Sequence, residues 1–401
     1  MDCPEHTESE RPADPRTVTF VVASLRCGGV ERAVISLAVG LRARGHRVCL
    51  LSLAGAEDDF FAIPEGVERH ALGITRHRPI RWWRLPATVW GRLRALRRAI
   101  DATRPDVVIA HAPQINVPTL LATRGARYPV IATEHGDVPV IWSWHRSWLW
   151  RKWTWYRLRR WCYRFAHQVV SVSAAVDRNV GWLRADRRRV IHNPLTPIRA
   201  PAVDVPNAAG RERPWIVSVG RLSHAKGHDI LIEAFALLAA RFRDWQLVIV
   251  GDGELRHTLM HQARGLGDQV VFAGATDPFP WLRRAQLFAT ASRYEGFPLA
   301  PAEALSCGVS VIATDCPSAA DGRAAGGIRE LIGKGGGLLV PANDPRALAE
   351  ALSACMADPE LRARLASEAR GAVADLRLDR IVAQWESLFE HVSPRERRRG
   401  G

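Results

Sequence analysis

Residues 17 to 53 read TVTFVVASLRCGGVERAVISLAVGLRARGHRVCLLSL. Thr17–Ser24 is an apolar run rich in β-branched residues, as in a strand buried on both faces. The glycines Gly28 and Gly29 follow, and the apolar positions of Val30–Arg44 then recur at the helical period. Arg47–Leu53 is a second apolar run. A strand, a glycine turn, a helix and a strand open a parallel α/β sheet. Val107–Ala110, Val130–Thr133 and Gln168–Val172 extend the strand set, with helical stretches between them. Ile198–Arg213 is rich in Pro and Ala, has no period, and reads as a linker. The alternation then restarts. Trp215–Val219, Gln246–Val250, Val270–Phe272, Leu287–Thr290 and Val309–Thr314 are strands. Gly227–Phe242, Pro345–Cys355, Pro359–Ala374 and Leu378–His391 are helices. The pattern predicts an α/β chain of two Rossmann-like domains facing each other across a cleft, over residues 17–197 and 214–377. A tail (1–16), a linker (198–213), a C-terminal helix (378–392) returning to the first domain and a basic end (393–401) complete it.

At 401 residues the chain exceeds one ordinary core and suits two. No apolar run reaches the roughly 18 residues needed to span a bilayer. Met1–Arg16 is acidic and lacks the apolar centre of a signal peptide. The 7 cysteines are scattered with no Cys-x-x-Cys, which fits a reducing cytoplasm better than a disulfide framework. The formal charge of +15 calls for an acidic partner: a phosphorylated substrate, anionic lipid or nucleic acid.

Three segments carry candidate chemistry. Gly28 and Gly29 open a helix after the first strand, where small residues let backbone amides approach a phosphate; many ordinary strand-to-helix turns look the same. Gly220-Arg-Leu-Ser-His-Ala-Lys-Gly227 follows the first strand of the second domain. Arg221 and Lys226 there can clamp a diphosphate and stabilise it as it leaves, where a bland reading makes them a solvated loop. Arg293-Tyr-Glu-Gly-Phe-Pro-Leu-Ala-Pro-Ala-Glu303 follows the strand Leu287–Thr290. Glu295 and Glu303 stand eight residues apart around a Gly-Phe-Pro turn. Pro298 is placed as an early helix residue, so that amides near Phe297, Leu299 and Ala300 can receive phosphate oxygens. Two surface acids at a helix start would explain either glutamate alone.

Taken together, these residues resemble the retaining glycosyltransferases of family 4, which have the GT-B fold, over roughly Thr17 to His391. The resemblance implies that Glu303 binds the nucleotide ribose, Glu295 contacts the donor sugar, and Arg221 and Lys226 bind the diphosphate. It gives His135, in Thr133-Glu-His-Gly136, a place near the reacting centre against the donor sugar. His111, in Ala110-His-Ala-Pro113, is a candidate for the acceptor side or a structural histidine. No Asp-x-Asp occurs to hold a divalent metal, so transfer without metal or other cofactor is expected. Similar enzymes often carry a short Cys-Pro-Ser-Gly-Pro-Arg-Glu run. Here Cys316-Pro-Ser318 is separated from Ile328-Arg-Glu330 by an Ala/Gly-rich insertion expected to edge the donor pocket.

Two basic aromatic segments lie in the first domain. Arg76–Arg104 holds nine arginines with Trp82, Trp83 and Trp90, and Trp142–Trp161 holds seven of the chain's 15 tryptophans. On a helix, Trp148, Trp155, Leu158, Trp161 and Phe165 share one face, with Lys152, Arg157, Arg159, Arg160 and Arg164 broadly opposite. Tryptophan at headgroup depth and arginine against lipid phosphate suit an interfacial helix, so Trp148, Trp155, Arg159 and Arg160 are expected at an anionic membrane surface. A packed helix with a solvated arginine face is the alternative. Nucleic acid ranks last, because no RNA-binding module appears.

The expectation is a glycosyltransferase that moves a sugar from a nucleoside-diphosphate donor, UDP by family habit, to a hydroxyl of a lipid-linked or lipopolysaccharide-type acceptor. Retention of configuration and action at the cytoplasmic face of the cell membrane are expected with it. A sugar-nucleotide epimerase, or a membrane- or RNA-binding protein with a dead cleft, are the competing readings.

Overall fold

The computed structural model describes residues 14–26, 28–74, 86–136, 149–195, 213–317 and 326–392. Their contacts separate into two units. One takes the chain up to Val172, the stretch Val180–Thr196 and the C-terminal helix from Leu378. The other takes Ser173–Asn179 and the chain from the linker to Arg377.

The first unit is built on seven strands: β1 (Thr17–Val22), β2 (Arg47–Ser52), β3 (Val67–Ala71), β4 (Val107–His111), β5 (Val130–Glu134), β6 (Gln168–Ser171) and β7 (Arg188–Val190). All pair in parallel, in the order β3-β2-β1-β4-β5-β6-β7. Because side chains alternate along a strand, each central strand feeds two cores. Val18, Phe20, Leu50, Ile109 and Ile131 face one, with the helices Gly29–Ala43 and Leu378–Val392. Val21, Leu51, Val108, Ala110 and Ala132 face the other, with Leu96, Ile100, Ile115 and Tyr163. Gly40 sets the closest approach of the first helix pair: a Cβ there would lie 2.5 Å from Val382 Cγ2. Arg16 donates to the Phe389 carbonyl, and Glu386 accepts from His46 and Arg44.

The second unit has six strands: β8 (Trp215–Val219), β9 (Gln246–Val250), β10 (Val270–Gly274), β11 (Leu287–Thr290), β12 (Ser310–Asp315) and β13 (Gly337–Pro341). They are again all parallel, in the order β10-β9-β8-β11-β12-β13. In both sheets the strand order reverses beside the first strand, between β1 and β4 and between β8 and β11. Open parallel sheets bind ligands at the carboxyl ends of strands at such a switch point.

The structure departs from the sequence reading in several places. Three strands were not anticipated: β3 and β7 at the edges of the first sheet, and β13 at an edge of the second. Edge strands need no continuous apolar run, and β7 is Arg-Arg-Val with no fully buried residue. The helix expected over Gly227–Phe242 spans His228–Ala236. Ser173–Asn179, expected within the first domain, belongs to the second unit. Most of the predicted linker lies outside the described residues.

Candidate active site

The loop after β8 and the loop after β11 are tied together at the switch point of the second sheet. The Arg293 amide donates to the Ala225 carbonyl at 2.8 Å. The Arg293 guanidinium forks onto Asp229 at 2.8 and 2.6 Å and also donates to the His224 carbonyl. Burial alone would raise the Asp229 carboxyl, but the hydrogen bonds from Arg293 hold it below its ordinary range. Nothing in the sequence marked this pair, which joins positions far apart in the chain.

Within that frame Lys226 Nζ donates to Glu295 Oε2 at 2.5 Å, and Ser292 Oγ donates to the same oxygen at 3.2 Å. The diphosphate cation and the sugar-contacting carboxylate proposed from sequence are therefore direct partners. Arg221 is exposed, and its Nε donates to Glu254 at 3.3 Å. Gly227 closes the loop at φ 62°, where a Cβ would lie 2.0 Å from the Ala291 carbonyl oxygen. Gly227→Ala is expected to destabilise the second unit by more than about 1 kcal/mol, read as a lower thermal midpoint.

Glu303 is 2% exposed, which excludes a surface acid. It sits in the helix Leu299–Ser306. Pro298 is the N-cap of this helix rather than its first residue, with φ −87° and ψ 84°. Leu299 and Ala300 occupy the first turn, whose amides precede the intrahelical ladder. Phe297 is buried.

Several groups around the turn were not anticipated. Ser173 Oγ donates to the Gly296 carbonyl at 2.9 Å, and Glu330 accepts from the amides of Ala174 and Ala175. The Glu295 amide donates to the Pro317 carbonyl, and the Gly326 amide to the Cys316 carbonyl. The two ends of the Ala/Gly-rich insertion thus meet beside Glu295; a Cβ on Gly326 would lie 3.0 Å from the Glu295 carbonyl oxygen. Burial pushes the Cys316 thiol up to about 12, so it stays protonated and unreactive.

In the first unit, Gly28 caps the helix Gly29–Ala43 after β1. Its backbone is extended, and an added Cβ would meet only the tip of the Glu31 side chain. Glu31 also places an acid in the first turn, where the sequence reading put a phosphate. His111 and His135 stand at the ends of β4 and β5, with Nδ1 of His111 3.1 Å from Nε2 of His135. Burial lowers the imidazole of His135 to about 4, and burial together with His135 lowers that of His111 well below 6.5. Burial, with Lys226 close by, lowers His228 in the second unit to about 4.

These three histidines set a pH dependence. Above about 6.5 they are neutral in the folded and unfolded chain alike. Between about 6.5 and 4 the unfolded chain takes up protons that the folded chain excludes. Stability is therefore expected to fall as pH drops through that window, checked by denaturant midpoints at pH 7.5 and 5.

The basic aromatic helix spans Leu149–Cys162, and Trp148 lies outside the described residues. The structure overturns one assignment here. Arg159 does not face an acceptor or a lipid: it is buried and pairs with buried Glu134 at 2.9 Å. Trp155 is half-buried against the second core of its unit. Among the residues of this helix whose side chains are described, the exposed large apolar ones are Leu158 (41%) and Trp161 (39%), flanked by exposed Arg157, Arg160 and Arg164. Arg160 stacks over Trp182. The face reads differently because Trp155, Arg159 and Cys162 form the inward stripe. No helix among the described residues is long and apolar enough to cross a membrane.

Comparison with known proteins fits this geometry. The family model "Glycosyl transferases group 1" matches residues 203–372, and "Glycosyltransferase Family 4" matches residues 27–199. The chain is 26% identical over 378 residues to a Campylobacter jejuni N-acetylgalactosaminyltransferase that acts on an undecaprenol-diphosphate glycan. That match covers 94% of this chain and 98% of the relative. It is 29% identical over 270 residues to the lipopolysaccharide core mannosyltransferase LpsB of Rhizobium meliloti, covering 56% of this chain and 74% of that one. Anabaena HepE, solved with UDP and glucose, superposes with a TM-score of 0.71 at 23% identity, covering 94% and 99% of the two chains. With two matched halves, two parallel sheets and a basic loop locked to a glutamate turn, the chain belongs to the group 1 glycosyltransferases of the GT-B fold.

Proposed function

We propose that this glycosyltransferase moves a sugar from a UDP-sugar to a hydroxyl of a lipid-linked or lipopolysaccharide-type glycan, with retention and without a metal. The observation that carries the donor assignment is the interlocked pair of loops at the β8/β11 switch point. Lys226 and Arg221 supply positive charge for the diphosphate, Glu303 accepts from the ribose hydroxyls, and Glu295 meets the sugar. In the retaining step the bond from the anomeric carbon to the diphosphate oxygen breaks, and a bond to the acceptor oxygen forms on the same face. The acceptor proton passes to the departing diphosphate, whose growing charge Lys226 and Arg221 stabilise. The two cations and the first-turn amides take the place of the metal that an Asp-x-Asp pair would hold.

The acceptor reading is supported by relatives whose names specify an undecaprenol-diphosphate glycan and a lipopolysaccharide core. The first unit takes the acceptor. The enzyme works peripherally at the inner face of the membrane, through Leu158, Trp161 and the arginines beside them. A thermal-shift screen of nucleotide sugars tests the donor, because a ligand at 100 times its Kd adds about 2.7 kcal/mol. A midpoint raised by UDP-sugars and unchanged by EDTA is expected; no response to any nucleotide would overturn the reading. Replacing Leu158, Trp161 and Arg160 together is expected to reduce flotation with anionic liposomes, and undiminished flotation would count against the membrane assignment.

A further inference from the structure

Cys49, Glu68 and His70 converge on β2 and β3, at the edge of the first sheet and outside the segments assigned to sugar transfer. The two strands pair in parallel, with Cys49 opposite Glu68 and Leu51 opposite His70. Side chains alternate along a strand, so Glu68 and His70 share the face on which Cys49 lies. One oxygen gathers both neighbours. Glu68 Oε2 accepts from the Cys49 thiol at 3.5 Å and lies 3.7 Å from His70 Nε2. The three donor atoms all fall within 4.8 Å of one another.

These are the separations of ligands around one metal ion. Zinc bonds of about 2.3 Å to sulfur and about 2.0–2.2 Å to nitrogen and oxygen, at tetrahedral angles, put sulfur and oxygen about 3.5 Å apart and nitrogen and oxygen about 3.4 Å apart. Cys49 is 0% exposed and forms the floor. The side chains of Glu68 and His70 are 42% and 43% exposed, which leaves a way in and a fourth position for water. An edge ion pair explains part of the cluster. Arg47 forks onto the two Glu68 oxygens at 2.7 and 2.8 Å and holds that carboxyl below its ordinary range. It does not explain why a thiol and an imidazole meet the same oxygen. A metal on Oε2 displaces Arg47 Nη2 and leaves the Nε bond to Oε1, which orients the carboxylate as outer partners of metal ligands do. Burial, with Glu68 beside it, pushes the Cys49 thiol up to about 11. As the sulfur–metal bond forms, the thiol proton therefore leaves to the buffer.

We propose that Cys49, Glu68 and His70 bind one zinc-like divalent ion that cross-links the edge strand β3 to β2. Sulfur and nitrogen donors select zinc over magnesium or calcium, which take oxygen ligands. The ion has no part in transfer. The donor loops belong to the second unit, and the rise in midpoint that UDP-sugars give, compared at equal metal content, stays independent of EDTA.

Cobalt titration of the full chain, stripped with chelator, dialysed and kept reduced by a phosphine, tests the site. The wild type is expected to develop the thiolate-to-cobalt charge-transfer absorption and the visible bands of a tetrahedral ion, and one equivalent of zinc is expected to abolish both. Cys49→Ala is expected to lose the charge-transfer absorption. His70→Ala and Glu68→Gln are expected to weaken zinc, measured against a chromophoric chelator, by at least about 100-fold, beyond the 10- to 100-fold typical of losing an outer partner. A wild type without the absorption overturns the proposal, as does an absorption that survives in Cys49→Ala, which would place the thiolate at another cysteine. If Cys49→Ala fails to fold, His70→Ala decides, because its side chain is exposed on an edge strand. Zinc affinity in His70→Ala equal to wild type also overturns the proposal.

Discussion

Lys226→Ala is expected to lower sugar transfer by about 10²- to 10³-fold, the loss typical of removing one preorganised group that stabilises developing charge. The basis is the placement of Lys226. Its ammonium is held by Glu295 at 2.5 Å on a loop that Arg293, Asp229 and Gly227 fix against the β11 turn. A cation held in advance loses little reorganisation energy when the diphosphate departs. Arg221 is more exposed and paired at 3.3 Å with exposed Glu254, so Arg221→Ala should have the smaller effect. Glu303→Ala should act on donor affinity instead, weakening it about 10- to 100-fold, the range for a hydrogen bond to a charged group. Initial rates across donor concentrations separate the two effects, with circular dichroism melts confirming that each variant folds.

Arg159→Ala is expected to destabilise the first unit by about 3–5 kcal/mol. The pair it breaks is almost fully enclosed, with side chains 3% and 1% exposed. Glu134 would remain as a buried carboxylate supported by the Tyr163 hydroxyl. Burial and the nearby Glu134 raise the Tyr163 phenol above its ordinary range, so it remains a donor rather than a second anion. The double change Arg159→Met with Glu134→Gln removes both charges and keeps an acceptor for Tyr163, and it should recover most of the loss. Denaturant unfolding of the wild type, Arg159→Met, Glu134→Gln and their combination in a double-mutant cycle gives the coupling. A loss below about 1 kcal/mol for Arg159→Ala would show that the pair is not sealed from water.

The sheet centres were legible because a parallel strand buried on both faces must be apolar along its length. Trp215–Val219 and Leu287–Thr290 occur where the pattern put them. The edges were not legible, since Arg188–Val190 and Gly337–Pro341 need no such run. The site divided the same way. Arg221, Lys226, Glu295 and Glu303 could be picked out because they sit within two short segments that follow strands. The Arg293–Asp229 fork, the Ser173 contact with Gly296 and the Glu330 cap join distant parts of the chain, and no local spacing encodes them. Arg159 was misread for a related reason. A long arginine can leave a helix toward lipid or toward a carboxylate on a neighbouring strand, and only the fold brings Glu134 into reach.

The loops after β8 and β11 are expected to form a nucleoside-diphosphate site. Calorimetric titration of UDP into the wild type and Lys226→Ala tests it without knowledge of sugar or acceptor. Saturable one-to-one binding to the wild type, unchanged by EDTA, is expected, with at least about tenfold weaker binding to the variant, the loss of one charge-assisted contact. Equal UDP affinity in the two proteins, or no UDP binding to the wild type, would contradict it.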